Sequence, residues 1–452
     1  MNKEKKLIPD LRFPEFSNEE GWEEKELNEI AERIQEKVGD QKLITVSISA
    51  GKGFVSQAEK FSRNISGKQY KNYIFLKEGE FAFNKGNSKK FPQGCIYKLK
   101  EFKKAAAPNA FICFRFKADV VADFYQGYFD RNYHGRQLQR YITSGARMDG
   151  LLNVSPTDFF SIILPTPKNI KEQQKIASCL SSLDELISAH NDKLQALKDH
   201  KKGLMQNLFP PANGSHYGLD PQSPRIPPYR FPDFEGDGEW EEKSVDKLMK
   251  IISGKGFKAS EYSNNGVRLL QIENVGYGRI KWSKKPISLP DDYIKDYPEL
   301  ILAEGDIVLA LNRPVTNNEL KIARLTKYDE PSILYQRVGK IELLFTSFDK
   351  GFIFQICSLF IKKFVMRNSI GSDQPFISLK ELYAQKIRIP TFKEQQKIAS
   401  CLSALDALIT AEAEKIEQLQ LHKKGLMQAL FPSANGGHSG SAPQTQRASL
   451  RT

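Results

Sequence analysis

The chain has 452 residues, of which 40% are apolar and 27% charged, and a formal net charge of +13, figures that suit several globular domains with cores of their own. Its most apolar run, residues 352–364, is interrupted by Gln355, Lys362 and Lys363, which excludes a membrane span, and no apolar segment follows the charged start Met1-Asn2-Lys3-Glu4-Lys5-Lys6, so a cytoplasmic protein is expected. Cys95, Cys113, Cys179, Cys357 and Cys401 form no CxxC pair and no His/Cys cluster, which argues against a zinc site or a disulfide framework.

The positive charge is unevenly placed. Residues 1–40 are acidic, with 7 Lys/Arg against 12 Asp/Glu, whereas residues 41–165 hold 20 against 9 and residues 253–388 hold 21 against 15. Clusters of lysine and arginine neutralise phosphates, so these two regions point to a polyanionic partner.

In chain order, β-branched and aromatic runs at residues 43–48, 73–76 and 111–116 predict strands of a first α+β domain. Gly51-Lys52-Gly53-Phe54 reads as a turn able to approach a phosphate, and the loop from Asn84 through Lys85 to Lys89 and Lys90 as a second phosphate contact. Arg131, Arg136, Arg140 and Arg147, spaced in helical steps beside amide and aromatic side chains, suit the edges of bases. From Asn169 with Glu172 a capping box opens a helix whose apolar residues fall at Ile176, Leu180, Leu183, Ile187, Leu194, Leu197, Leu204 and Leu208, with His190 and Lys201 at polar seam positions. Pro210 ends it, and residues 211–229 form a Pro-rich linker.

The chain then repeats itself. Arg12-Phe13-Pro14 and Trp22-Glu23-Glu24-Lys25 return as Arg230-Phe231-Pro232 and Trp240-Glu241-Glu242-Lys243, and residues 171–210 return as residues 393–432 with 28 of 40 positions identical. The second variable region carries strand-like runs at residues 267–272, 306–311, 332–335 and 340–345. Its polar candidates for a nucleic acid are Lys255 and Lys258 around Gly254 and Gly256, then Asn274, Arg279, Lys281, Asn312, Arg313, Arg367 and Gln374. Thr391 with Glu394 caps the second helix, whose seam is Ile398, Leu402, Leu405, Ile409, Ile416, Leu419, Leu426 and Leu430, with Glu412 and Lys423 at the polar positions. Neither helix can bury its stripe alone, so the two are expected to pair antiparallel as a coiled coil about a pseudo-twofold axis. The expected boundaries are a first domain at 1–165, a helix at 166–210, a second domain at 230–388, a helix at 389–432 and a Gly/Ser-rich disordered tail at 433–452.

Lys171-Glu172-Gln173-Gln174-Lys175-Ile176-Ala177 with Leu183-Asp184 and Ile187, and its copy from Lys393 with Leu405-Asp406 and Ile409, resembles the junction of recognition domain and conserved helix in specificity subunits of type I restriction-modification systems. Segments 76–85, 144–150, 302–309 and 370–379 resemble that family's recurring blocks. The resemblance implies two target-recognition domains that each read one half of a bipartite DNA site, with the helices setting the gap between the halves. It also implies a subunit without catalysis of its own that holds two adenine methyltransferase subunits and two restriction and translocase subunits. S-adenosylmethionine, ATP and magnesium would then be bound by those partners, and this chain would hold no cofactor and no metal.

Two other readings compete with it. Pro232-Asp233 with Glu241-Glu242-Lys243 fits the pattern of a magnesium-dependent nuclease, although its counterpart, Pro14-Glu15 with Glu23-Glu24-Lys25, reads as an acidic loop rather than a strand. A DNA-binding regulator or architectural protein without methyltransferase partners is the other. The chain contains neither the glycine-rich cofactor loop nor the Asn/Asp-Pro-Pro-aromatic motif of an adenine methyltransferase.

Overall fold

The computed structural model describes residues 7–49, 51–61, 67–86, 91–142, 152–210, 225–368 and 376–432. Two long helices, Ile170–Asn207 and Phe392–Ala429, each have 38 residues. The chain divides into two compact units, and the division falls inside both helices: Met1–His190 with Lys415–Thr452 form one unit, Asn191–Glu414 the other. The linear boundaries expected from the sequence keep each helix whole, whereas each compact unit takes a portion of both helices. Among the described residues no helix is long and apolar enough to cross a membrane, and the five cysteines are unpaired.

In the first unit two four-stranded sheets carry the variable region. One is ordered Ala31–Arg33, Phe111–Phe116, Phe81–Asn84, Cys95–Lys98, and the other Gly53–Ser56, Ile44–Ser49, Lys104–Ala107, Ile74–Lys77. Phenylalanine dominates the face of the first sheet. Phe81, Phe83 and Phe114 pack there against Phe124, Tyr125, Tyr128 and Phe129 of the helix Ala122–Asp130, all of them buried. The acidic segment expected as a loop is a strand, Glu23–Glu26, paired antiparallel with Ile163–Thr166; all four of its side chains are charged, with Glu24 and Glu26 exposed and Glu23 and Lys25 half-buried, so its acidity reflects a ribbon open to solvent and not an absence of structure.

The second unit has the same frame around a different content. Glu241–Ser244 pairs with Lys386–Ile389 as its counterpart does. The variable strands, however, form a five-stranded sheet (Met249–Ser253, Val338–Leu343, Ile307–Ala310, Ile322–Arg324, Tyr277–Gly278) and a four-stranded one (Ser288–Leu289, Val267–Leu270, Ser332–Leu334, Ile301–Leu302). Helix Lys350–Asn368 covers the five-stranded sheet's core with Phe352, Ile353, Ile356 and Cys357.

One buried cluster locks helix to frame, twice. Arg12 Nε and Nη2 donate to the two carboxylate oxygens of Glu172 at 2.8 and 2.7 Å, and Trp22 Nε1 donates to the same carboxylate at 3.3 Å. In the second unit Arg230 donates to Glu394 at 2.9 and 2.7 Å and Trp240 at 3.3 Å. Arg12 Nη1 and Nη2 also donate to the backbone carbonyls of Glu19 and Glu20, and Arg230 Nη1 to those of Asp237 and Gly238. These two glutamates were expected to complete capping boxes. A bidentate arginine offers a buried carboxylate stronger bonds than an exposed backbone amide does, and both helices direct it there.

The end of each helix closes a hydrophobic core. Phe431 packs 4.7 Å from Tyr128, 5.3 Å from Phe124 and 6.3 Å from Trp22 in the first unit. Phe209 stands 5.8 Å from Phe352 and 6.2 Å from Trp240 in the second. Gly127 makes room for Phe431, because a Cβ there would lie 2.4 Å from its ring. Within each unit the helix portions run antiparallel, as the second unit's Lys193–Glu412 and Lys201–Asp406 pairs at 3.0 and 2.6 Å require. The first unit holds the equivalent Lys423–Asp184 pair at 2.6 Å. Every seam position from Ile176 to Leu197 and from Ile398 to Leu419 is buried or half-buried, while Leu186, Leu408 and Leu421, off the seam, are exposed.

Two outcomes are expected in urea unfolding of the full chain. Glu394→Ala, which leaves the Arg230 guanidinium buried without its partner, lowers stability by about 3–5 kcal/mol, and a loss below 1 kcal/mol would mean the cluster is not a lock. Asp184→Lys and Lys423→Asp each cost about 1 kcal/mol alone and recover most of that loss when combined; additive losses would show that the pair does not fix the helix register.

Candidate nucleic-acid interface

The expected cations occupy quite different surroundings. In the first unit Lys52 is exposed in the tight hairpin between Ile44–Ser49 and Gly53–Ser56. Gly51 and Gly53 there take φ of 86° and 98°, a conformation glycine adopts at little cost, and Tyr97 Oη accepts from the Gly51 amide at 2.8 Å. Lys85 is half-buried at the end of Phe81–Asn84, and its carbonyl accepts from the Leu152 amide at 2.9 Å. Lys89, Lys90 and Arg147 lie outside the described residues.

Only part of the arginine-rich stretch is displayed. Arg136 is exposed on the short helix Tyr133–Leu138 and Arg140 on the turn Gln139–Tyr141 that follows, its guanidinium 4.8 Å from the centre of the Tyr141 ring. Arg131 is half-buried, 5.8 Å from the Phe431 ring, and burial lowers its pKa. Gln137 is tied to the frame, its amide donating to the Ile163 carbonyl at 2.8 Å and accepting from the Ile163 amide at 2.9 Å. Arg136 and Arg140 therefore ride on a segment anchored from beneath. His134, inside the same segment, is fully buried with Phe83 and Phe129 edge-on at 6.0 Å each, and burial pushes its pKa down from 6.5 to about 4.

In the second unit Lys255 and Lys258 are exposed on either side of Gly256. The glycines here answer to close packing: a Cβ on Gly254 would lie 2.3 Å from the Tyr335 carbonyl oxygen. Lys255 exchanges backbone contacts with Leu334 and Gln336, and its ammonium donates to Tyr297 Oη at 2.8 Å. Asn274 is buried and holds its own loop, accepting from the Gln271 amide at 2.9 Å and donating to the Lys281 carbonyl at 3.1 Å. Arg279 reaches Glu414 of the long helix at 3.6 Å, and Lys281 lies over Tyr277. Arg367 is exposed at the end of its helix, and Gln374 lies outside the described residues.

Asn312 and Arg313 are the candidates that the fold gathers with others. Asn312 lines an open cleft of about 520 Å³ together with Ser253, Leu311, Arg337, Phe376 and Ile377. Arg337 and Phe376 were not singled out from the sequence. An arginine between two strand-forming runs at residues 332–335 and 340–345 was the available signal. Arg268, which the sequence pattern does not distinguish, stacks its guanidinium between Trp282 at 4.6 Å and Tyr328 at 5.1 Å.

The nuclease-like carboxylates do not converge. Asp233 pairs with Lys397 at 3.3 Å, Glu242 with Lys386 at 3.0 Å and Glu241 with Lys243 at 3.0 Å. Among the described residues no group of three or more His, Cys, Asp or Glu side chains is placed to hold a metal ion.

Residues 19–199 and 237–421 match the type I restriction modification DNA specificity domain. The chain is 37% identical over 295 residues to the MjaVIII specificity subunit of Methanocaldococcus jannaschii, covering 65% of this chain and 67% of that one. It is 31% identical over 195 residues to the EcoAI specificity subunit of Escherichia coli, covering 42% of this chain and 31% of that one. The S subunit of a type I restriction-modification system from M. genitalium shares the fold, with a TM-score of 0.59 at 15% identity over 95% of this chain and all of that one.

The burial of His134 gives the first unit a pH dependence. The folded state holds the imidazole neutral down to about pH 4, whereas the unfolded chain protonates near 6.5; the unfolded state binds the extra proton in that window, so stability falls as pH falls through it. Relative to His134→Phe, the wild type is expected to lose about 3 kcal/mol between those limits, measured as the difference between the two unfolding curves at each pH. Parallel pH profiles would contradict it.

Proposed function

This chain belongs to the family of type I restriction-modification DNA specificity subunits, and from that membership we propose that it reads a bipartite, asymmetric DNA target through two unlike recognition domains. The observation that carries the asymmetry is the contrast between frame and contents. The same Arg–Glu–Trp lock and the same two-stranded ribbon hold a pair of four-stranded sheets in one unit and a five- and four-stranded pair in the other. Two readers with different surfaces on one repeated frame suit two different half-sites, and the excess of Lys and Arg in both variable regions suits the phosphates that flank them.

The repeated frame also offers two equivalent surfaces, which suits a pair of adenine methyltransferase subunits and a pair of restriction and translocase subunits. Catalysis belongs to those partners in this reading. They would bind S-adenosylmethionine, ATP and magnesium, and this chain would supply address and assembly in the cytoplasm.

The test is genome-wide adenine methylation in cells with the gene, without it, and with residues 41–165 exchanged for those of a homologue. A two-part motif that disappears with the gene and changes in one half only on the exchange is the expected result. Methylation indifferent to the gene would sink the reading, and a regulator without methyltransferase partners would take its place.

A further inference from the structure

The cleft in the second unit brings together segments far apart in the chain: Ser253 at the end of one strand, Leu311 and Asn312 after another, Arg337 in a turn, and Phe376 with Ile377. Two features mark it. Phe376 is 73% exposed, an unusual position for a large aromatic side chain. Arg313 and Arg337 are held at φ of 46° and 66°, a left-handed conformation that non-glycine residues seldom adopt. Backbone bonds hold Arg337 and the residues before Arg313 in place: the Leu311 amide donates to the Arg337 carbonyl at 2.9 Å, the Ile377 amide to the Leu311 carbonyl at 3.0 Å, and Asn312 bridges to Phe376. Backbone strain of this kind is retained where the surroundings over-determine it, and it gathers at binding sites.

The chemistry of the lining is that of base recognition. Its polar side chains are a hydroxyl, an amide and a guanidinium, with no carboxylate to repel a polyanion. Exposed Lys255 and Arg313 flank it, Lys255 through the bond from the Gln336 amide to its carbonyl at 3.0 Å. Arginine and asparagine are the side chains that bond in bidentate fashion to the major-groove edges of guanine and adenine, and an aromatic ring packs on the thymine methyl.

The geometry points to this cleft as the base-reading element of the second recognition domain: Arg337 and Asn312 read purine edges, Phe376 packs against a neighbouring base, and Arg313 contacts phosphate. This rests on the reading of the chain as a DNA specificity subunit. It assigns specificity to Arg337 and Phe376 and distinguishes their role from that of the surrounding lysines, which contribute charge alone.

The left-handed backbone supplies a clean probe. Glycine adopts the conformation at 337 without strain, so Arg337→Gly removes the guanidinium and leaves the turn and its backbone bond in place. The complex purified through the full-length chain, as wild type or with Arg337→Gly, Asn312→Ala, Phe376→Ala or Arg313→Gly, would be used to select binding sites from a library of random duplexes, with thermal unfolding of each variant alongside. Arg337→Gly and Asn312→Ala should each relax the preference at one or two positions of a single half-site, by roughly ten- to a hundredfold, with the other half unchanged and the unfolding midpoint of Arg337→Gly at or above the wild type's. Arg313→Gly should weaken every site alike and reduce the salt dependence of binding. Unchanged preferences in both Arg337→Gly and Asn312→Ala, or equal weakening of both halves, would overturn the assignment while leaving the two-reader function intact. A wild-type complex that selects no sequence would overturn that function and this assignment with it.

Discussion

A carboxylate three residues into each long helix, closed on one side by an arginine fork and on the other by an indole N–H, is the contact on which both units depend. Burying a charge is costly unless every lone pair finds a donor. Glu172 and Glu394 each accept three bonds, and their arginines use their remaining donors on loop carbonyls. The arrangement tolerates little substitution, because loss of any member leaves another buried polar group unmatched. It also ties three segments, the frame strand, the loop before it and the helix start, into one corner. Whatever variable sheet is inserted between them begins and ends at the same place.

That explains how unlike readers share one scaffold. The ribbon formed by the frame strand and the strand entering the helix fixes the two ends of the insertion, and the phenylalanine at the close of a long helix fills the core against the reader's own helix. Between these fixed points the first unit has one phenylalanine-rich antiparallel sheet and one mixed aliphatic sheet, and the second has shorter aliphatic strands with a cluster of tyrosines at Tyr293, Tyr297, Tyr262 and Tyr335. Diversity is confined to the sheets between the fixed points, and the cost of each insertion is limited to packing within its own unit.

Much of this was legible in the sequence, for identifiable reasons. The heptad stripe recurs twice over the full length of a helix, and sustained periodicity is a strong signal; Lys201, Lys423 and Glu412, the polar interruptions of that stripe, turn out to carry cross-helix ion pairs. The strand at Phe111–Phe116 is legible to its ends because four of its six side chains are β-branched or aromatic. The strand Lys104–Ala107 was not, since its alanines favour helix by local propensity. They are fully buried on both faces between Ile44–Ser49 and Ile74–Lys77, where only a small side chain fits, and that constraint is visible only once the neighbours are placed. The candidate interface is less legible still. Its cations are ordinary by sequence, and what separates Arg337 from Arg131 is whether the fold presents the guanidinium at a cleft or lays it against a phenylalanine ring.

The helix-terminal phenylalanines carry a consequence for how the protein is made. The second unit is one uninterrupted stretch, residues 191–414, and the ribosome releases it whole. The first is split, and its core stays open at the site of Phe431 until residues 415–431 have been synthesised, after the whole of the second unit. The domain translated first is thus the one completed last, and during that interval its exposed ring of aromatic side chains at Trp22, Phe124 and Tyr128 is a natural substrate for chaperones. A premature stop between residues 415 and 431 would strike the first unit, whose variable strands lie more than 200 residues upstream, and leave the second whole.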